Sequence, residues 1–583
     1  MAGIQKTVLK GIEYLKKRGI RKTVRKTILH IDRKYLEHLY IRRMRPTEEE
    51  LAAQRTESFF RPIRFSVIVP LYNTPMNLLR ETMDSVRKQS YENWELSLAD
   101  GSDEEHDEVE VWCRNHMAED HRILDRKLTK NEGISGNTNA ALAMATGEYV
   151  ALFDHDDLLM PNALYEMAKA IEKTNADFLY SDEMIFASPK VNHIVGIRFK
   201  QDFVPEDLLT NNYICHLTVF RRSLLEKTGG FRPQFDGSQD HDLVLRLTAA
   251  AERIVHIPKI LYLWRSVAGS VAADIHMKEY AIDAGRKAVE RFLHDRGQVE
   301  ATVESTEVFP TMYRVRVPIA GQPSVRIILD VNREAGNVPE KLRALQEKTT
   351  WLMCEWTVTG KDESTAGKSR RERFSAAAAE AKEDFLVFVD GIPESQNPDW
   401  IQEMLIAAQE EEIGAVGAKV RFAGSTDLRH AGIILGLGTQ GIVGRPYFDR
   451  EDDLVGFFGQ LAVTRNVSAV TDCWMIRRQK YEQAGGFDPG YRDALFDIDM
   501  CMKLQAMGYR HLWIPYACLS GGRAADFSMD AGAEYASYPQ DSALFRKKWA
   551  EVLAQGDPCY NPNLSLKHED WRIDGEKIRA EKR

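Results

Sequence analysis

A chain of 583 residues is long enough for three or four domains, and 44% hydrophobic with 28% charged residues is ordinary material for large buried cores. It has no run of 18 apolar residues, no apolar leader near its start and no C-x-x-C pair among seven scattered cysteines. That excludes a spanning helix, a secretory signal and a disulfide or cysteine-rich zinc scaffold, and it fits a reducing cytosol. The net charge of −9 hides an asymmetry: residues 1–45 hold 14 Lys/Arg against Glu13, Asp32 and Glu37, leaving an acidic body. A basic head suits an anionic surface, and an acidic body argues against nucleic acid as partner.

Residues 1–60 read as a basic helical segment and linker. Ile4, Val8, Ile12 and Leu15 recur at helical spacing up to Gly19, and Val24, Ile28, Ile31, Tyr35 and Leu39 form a second stripe. Two readings stand: an interfacial anchor on anionic lipid through residues 1–45, or a basic hairpin packed on the next domain. From residue 61 strands and helices alternate. Strands are predicted at 65–70, 94–99, 122–127 and 148–153, with helices at 75–89, from about 103 to 116 and at 135–145. This alternation predicts an α/β fold with a parallel, Rossmann-like sheet, whose chemistry sits at the carboxyl ends of its strands. The pattern restarts at 323 after a connector at 301–322. Gly229-Gly230-Phe231 recurs as Gly485-Gly486-Phe487, ATGEYVALFD as AKEDFLVFVD, and SQDHDLVLRL as LFDIDMCMKL. Near-constant offsets mark a tandem duplication, with copies at 61–300 and 323–522 and a tail at 523–583 that holds one helix, SALFRKKWAEVL.

In the first copy three carboxylate clusters follow strand ends: Asp100, then Asp154, Asp156 and Asp157 in FDHDD, then Asp240 and Asp242 at a helix start. Carboxylates gathered in one crevice repel each other unless a cation joins them, and Mg²⁺ takes one or two carboxylates plus substrate phosphates. Alternation along extended chain places Asp154 and Asp156 on one side and Asp157 on the other. Each cluster also has a plain structural role to offer. Asp100 suits a turn, Asp156 or Asp157 a helix cap, and Asp242 a surface pair with Arg246 four residues on. The string Gly436-x-Gly438-x-x-Gly441 is no dinucleotide site, because IVGRP after it cannot open a helix.

These residues resemble the family 2 inverting glycosyltransferases of the GT-A fold. The resemblance rests on SVIVPLYN, WELSLADGSD, NEGISGNTNAALAMATGEYVALFDHDD, YSDE, GGFRPQFDGSQDHDL and YLWR, and runs from Phe65 to about Ala272. It implies a nucleotide-sugar donor, Mg²⁺ or Mn²⁺, and a glycan, lipid-linked or protein acceptor in bacterial surface-glycan assembly; the cysteine usage points to the cytoplasm, and the anchor reading of the head to a place peripheral to the membrane. It also implies roles. Pro70 and Tyr72 line the base, and Asp100 hydrogen-bonds it. Asn131, Gly133 and Asn139 shape the diphosphate side. Asp154 faces ribose or sugar, Asp156 and Asp157 hold the metal, and Asp240 is the catalytic base. Trp264 and Arg265 lie near donor phosphates or acceptor. Relatives commonly have histidine where this chain has Leu263, so His216, His241 and His256 are candidates to complete the site.

The second copy resembles the same family in GAVGAK, RHAGIILGLG, GGFD and DIDMCMKL, and the tail DPCYNPNLS resembles that of tandem-domain relatives. Its acidic loop is reduced to Asp390, with Asp497 alone at the base-like position. A lone carboxylate cannot clamp metal and diphosphate together, so this copy reads as degenerate. A bifunctional transferase and a non-catalytic scaffold for a partner transferase are the alternatives.

Overall fold

The computed structural model describes residues 20, 23–24, 27–266, 279–334, 336–361, 363–452, 456–521 and 532–580. The first stripe of the head, at 4–15, lies outside them.

The first sheet has nine strands: β1 Phe65–Leu71, β2 Trp94–Asp100, β3 Ile123–Lys127, β4 Tyr149–Leu152, β5 Leu158–Leu159, β6 Phe178–Ala187, β7 Ile194–Arg198, β8 Thr218–Arg221 and β9 Ile254–Ser266. Their order is β3-β2-β1-β4-β8-β6-β9-β5, with β7 on β6. β1, β2, β3 and β4 pair in parallel, each followed by a helix, as the alternation predicts. β1 and β2 are buried throughout, as strands covered on both faces must be. The sheet is not wholly parallel, because β8 runs antiparallel between β4 and β6. The parallel run ends there and restarts between β6 and β9. The strand order itself turns back between β1 and β4, and at such a switch ligands of α/β folds bind in the crevice outside the strand ends.

The second sheet repeats this plan. Cys354–Thr359, Val325–Asp330, Phe385–Asp390, Cys473–Arg477, Ile413–Arg421, Arg510–Gly521 and Pro393–Ser395 lie side by side in that order, matching β2-β1-β4-β8-β6-β9-β5 strand for strand. The glycines at 436, 438 and 441 all have positive φ in a tight hairpin between Ile434–Leu435 and Val443–Gly444, so they serve a turn. The connector forms its own hairpin, Thr302–Ser305 with Tyr313–Arg316. Val303 and Tyr313 fill the first copy's core beside Val244 and Leu247.

Two elements tie the copies together. The head is helical from 27 to 44, and Leu36, Tyr40 and Ile41 bury into the core that the second sheet shares with β6 and β7. Each such side chain contributes about 1.5–3 kcal/mol. The expected tail helix is broken in two at Trp549, Pro539–Lys548 and Ala550–Gln555, and the Trp549 indole N–H donates to Asp499 at 2.9 Å. Beyond it, Asp557 accepts from Leu435 N and Ser468 Oγ of the second copy, while Asn561 donates to Asp182 and to Lys200 O of the first.

Candidate functional site

The site is built at the carboxyl ends of β1, β2 and β4. Leu71 pairs with Asp100 across β1 and β2, so Tyr72, 47% exposed, stands beside the Asp100 turn. Pro70 is buried within β1. Asp100 is fully buried: Ser102 N donates to one oxygen at 2.8 Å and the Lys127 ammonium to the other at 3.0 Å. Each oxygen keeps a lone pair, so the carboxylate retains acceptor capacity.

Asn131 and Gly133 open the helix Gly133–Leu142, and Asn131 Oδ1 accepts from Gly133 N and Asn137 Nδ2, both at 3.0 Å. Gly133 has φ +77°, and a Cβ there would meet an Asp236 oxygen at 2.7 Å, which explains the glycine. Asn139 serves the fold instead of the crevice. Its amide donates to Phe231 O and accepts from Phe231 N, both at 2.9 Å, stapling the Gly-Gly-Phe turn to the helix.

The FDHDD segment departs from the expected alternation. Residues 154–157 form a turn, with Asp157 N on Asp154 O at 3.4 Å, so Asp154 and Asp157 converge and Asp156 does not join them. Extended-chain reasoning fails wherever the chain turns. Asp154, Asp157 and His216 each offer a ligand atom within 4.8 Å of one another. His216 Nε2 lies 3.6 Å from Asp154 Oδ2. Of the three candidate histidines, His216 is the one in this cluster, while Leu263 is buried and pairs with Leu158. The other two candidates lie elsewhere. His241 is buried on Leu208 O, its pKa pushed down to about 4 by burial, and His256 pairs with Asp182 at 2.9 Å.

The electrostatics suit a cation. Burial first, then the repulsion of Asp240 and Asp156 against the attraction of His216, pushes Asp154 up to about 6. Burial and the charges of Asp156 and Asp154 raise Asp157 well above its ordinary value, although Tyr262 Oη and Arg265 N donate to it at 2.5 and 2.6 Å. Carboxylates crowded this closely are relieved by a proton or by a metal. Each Asp157 oxygen still has a lone pair, so the donor set fits a small divalent ion. Asp240, on the first turn of Gln239–Ala250, is pushed up to about 6 by burial and faces the same charge cluster.

Arg265 is not exposed to a ligand. It is 1% exposed, and its guanidinium binds Asp156 O at 2.5 Å and Glu81 at 2.7 Å, bracing the acidic turn from behind. Trp264 is half-buried, 5.5 Å edge-on from His216. Asp242 is 1% exposed and bound by both Arg232 and Arg246, a buried brace and not a surface pair. Lys200 escaped sequence reasoning. Its buried ammonium bonds Glu183 at 3.1 Å and the carbonyls of Ile214 and His216, and Glu183 also accepts from His216 N at 3.2 Å. The adjoining acidic YSDE string was the only signal.

The second copy has Asp390 and Asp497 where the first has Asp154 and Asp240, and adds Asp330 at the end of the strand matching β1, but arginines occupy the centre. Arg370 grips Asp390 with two bonds of 2.7 Å and reaches Asp497 at 3.4 Å, and Arg373 binds Asp330 at 2.8 and 2.7 Å. These arginines belong to SRRERF, a basic string that motif reading passed over.

Residues 66–229 match the family model described as glycosyl transferase family 2. The chain carries a family 2 glycosyltransferase domain. Around this transferase domain the likeness extends further. The chain is 33% identical over 87% of its length to the uncharacterised protein y4gI of Sinorhizobium fredii, covering 58% of that protein. It is 30% identical over 89% of its length to the O-antigen biosynthesis protein RfbC of Myxococcus xanthus, covering 42% of it. The chain thus spans about half the length of these relatives. Over 27% of its length it is 32% identical to the UDP-Glc:alpha-D-GlcNAc-diphosphoundecaprenol beta-1,3-glucosyltransferase WfgD of Escherichia coli, covering 61% of that enzyme.

Proposed function

We propose that the first copy is a metal-dependent inverting glycosyltransferase of surface-glycan assembly. It moves a sugar from a nucleoside-diphosphate donor to a hydroxyl of a glycan, lipid-linked or protein acceptor. The carrying observation is the Asp154, Asp157 and His216 cluster, with Asp240 near enough for its charge to act on Asp154. The names of RfbC and WfgD support a polysaccharide pathway and a nucleotide-sugar donor.

Mg²⁺ or Mn²⁺ held by Asp154, Asp157 and His216 would neutralise charge on the departing diphosphate. The rest of the chemistry belongs to the chain. Tyr72 offers its ring to the base, with Asp100 as acceptor. Asn131 and Gly133 shape the loop beside the diphosphate. Tyr262, Arg265 and Lys200 hold the acidic turn and His216 in place. Asp240 accepts the proton of the acceptor hydroxyl as that oxygen attacks the anomeric carbon, a contribution of about 10²–10⁴ in rate. A single displacement inverts the centre.

The second copy is non-catalytic in this reading, because a guanidinium already fills the place between its carboxylates. The head supports a cytoplasmic protein bound peripherally to anionic lipid. Among the described residues no helix is long and apolar enough to cross a membrane, yet Val24, Ile28, Ile31 and Tyr35 are 51–64% exposed on a basic helix. The deciding test incubates the full chain with UDP-, GDP- and dTDP-sugars and assays nucleotide release with and without EDTA. Release that ignores EDTA, or that is unaltered by Asp240→Asn, would overturn the site.

A further inference from the structure

A cavity lies between the two copies, outside the donor crevice. Its walls combine half-exposed aromatic rings with neutral hydrogen-bonding side chains: Phe309 and Phe458, 40% and 38% exposed, stand with Gln201, Asn211, Gln460 and Thr464. The first copy supplies Gln201 and Asn211 and the second supplies Phe458, Gln460 and Thr464, so neither copy has this wall alone. Trp571 backs it, 4% exposed, stacked 5.7 Å from Phe457, with an indole N–H that has no partner among the described residues.

The cavity is joined to the catalytic centre by a short ladder of planar groups. His216 meets Trp264 edge-on at 5.5 Å. The Arg198 guanidinium lies over Trp264 at 4.9 Å and over Phe458 at 5.5 Å. Arg198 is itself fixed by Glu183 at 3.1 Å, the carboxylate that accepts from His216 N. Domain interfaces are common places for ligand pockets that are mostly apolar with a few polar groups to fix orientation. Two of the cations are spent on Glu183, Arg198 and Lys200, while Arg465 is 4% exposed and donates to Ala431 O. What remains is aromatic faces beside amides and hydroxyls. A pyranose ring fits that chemistry, with an apolar C–H face to stack and a rim of hydroxyls to donate and accept. A nucleotide suits it less, because the lining guanidinium outside the described ion pairs, Arg465, is 4% exposed, with one arm on Ala431 O and its face on the Trp513 ring.

We infer that the inter-copy cavity is an acceptor subsite that holds a neutral carbohydrate chain, with Phe458 and Phe309 as stacking platforms. The subsite rests on the transferase reading above and gives the second copy a role of its own. That copy supplies half of the wall that grips the growing glycan while the first copy does the chemistry. The Arg198–Trp264 ladder then leads from the gripped sugars towards Asp240.

The experiment uses the full chain on a printed array of bacterial surface polysaccharides and oligosaccharides. Wild type, Phe458→Ala, Phe309→Ala and Asp240→Asn are compared, with melting curves showing that each is folded. Both phenylalanines are substantially exposed, so their truncation should leave the fold intact. The expected result is a subset of neutral glycans retained by wild type and by Asp240→Asn, with affinity lowered at least tenfold in each phenylalanine variant. Donor hydrolysis to water by the phenylalanine variants should equal wild type. Retention of no glycan by wild type, or retention by both phenylalanine variants equal to that of wild type, would overturn the subsite. Absence of donor hydrolysis in wild type itself would instead overturn the transferase reading.

Discussion

At the residue scale the site is a problem in charge crowding. Asp154 and Asp240 are both held near 6, Asp240 by burial and Asp154 by burial and neighbouring charge, and Asp157 is raised well above its ordinary value by burial and the charges of Asp156 and Asp154. A carboxyl raised in the folded state binds protons more tightly there than in the unfolded chain. The metal-free protein therefore gains stability as pH falls through about 6 and loses it as pH rises. A divalent ion relieves the same strain, so Mn²⁺ should raise Tm at pH 8 and have almost no effect at pH 5. Differential scanning fluorimetry across that range checks this, and an equal shift at both ends would count against the cluster as ligand set. His216→Ala should raise the half-saturating Mn²⁺ for nucleotide release at least tenfold, a typical scale for weakening a metal site. Asp240→Asn should lower transfer at least about 100-fold while calorimetry finds donor affinity unchanged. Much of this was legible in the sequence, because carboxylates at the ends of alternating strands point to one crevice. Which pair converges was not. That depends on a four-residue turn at 154–157, and on His216 arriving from a segment some sixty residues away, and neither leaves a periodic trace.

At the scale of elements, the two copies share one strand order but differ at the helix that precedes the strand carrying the acidic loop. In the first copy that region is Gly133–Leu142, with asparagines and a glycine at its start. In the second it is Arg370–Glu380, whose first and fourth residues carry the guanidiniums that neutralise Asp390 and Asp330. The duplication itself was readable from landmark spacing, but the arginine plug was not, because nothing in SRRERF says that it faces inward. Removing one partner of a buried ion pair costs about 3–5 kcal/mol. Arg370→Ala should thus lower Tm clearly while nucleotide release per folded molecule stays at the wild-type rate. Asp497→Asn should also leave release unchanged. A drop in release with either variant in a folded protein would restore the bifunctional alternative. The head helix divides in the same way: its stripe was legible, but not its two fates, since Leu36, Tyr40 and Ile41 pack into the core while Val24, Ile28, Ile31 and Tyr35 stay exposed and free for the proposed lipid contact. Replacing Ile28, Ile31 and Tyr35 together by serine should abolish flotation with anionic vesicles. Flotation that survives this change, or that withstands salt at about 1 M, would contradict binding by this stripe and its basic flank.

At the scale of the whole molecule, the copies are bound into one body by the head helix and by pieces that come late in the chain. Asp182 lies at the centre of the first sheet and is fully buried, and Asn561, 379 residues later, satisfies it with bonds of 3.1 and 2.9 Å. Asp557 does the same for the backbone of Leu435 at 2.6 Å. This has a consequence for the order of events on the ribosome. A domain usually folds as its residues emerge, at about 5–20 residues per second. Here the transferase half is translated long before Asn561, and at those speeds it waits roughly 13–52 s with one oxygen of Asp182 lacking its partner, the other already held by Lys200 N and His256. Nascent chains stalled before residue 557 should therefore be cleaved within the first copy by a dilute protease, and chains released after residue 565 should resist it. Excised residues 1–320 should show the same sensitivity however long they are left to mature.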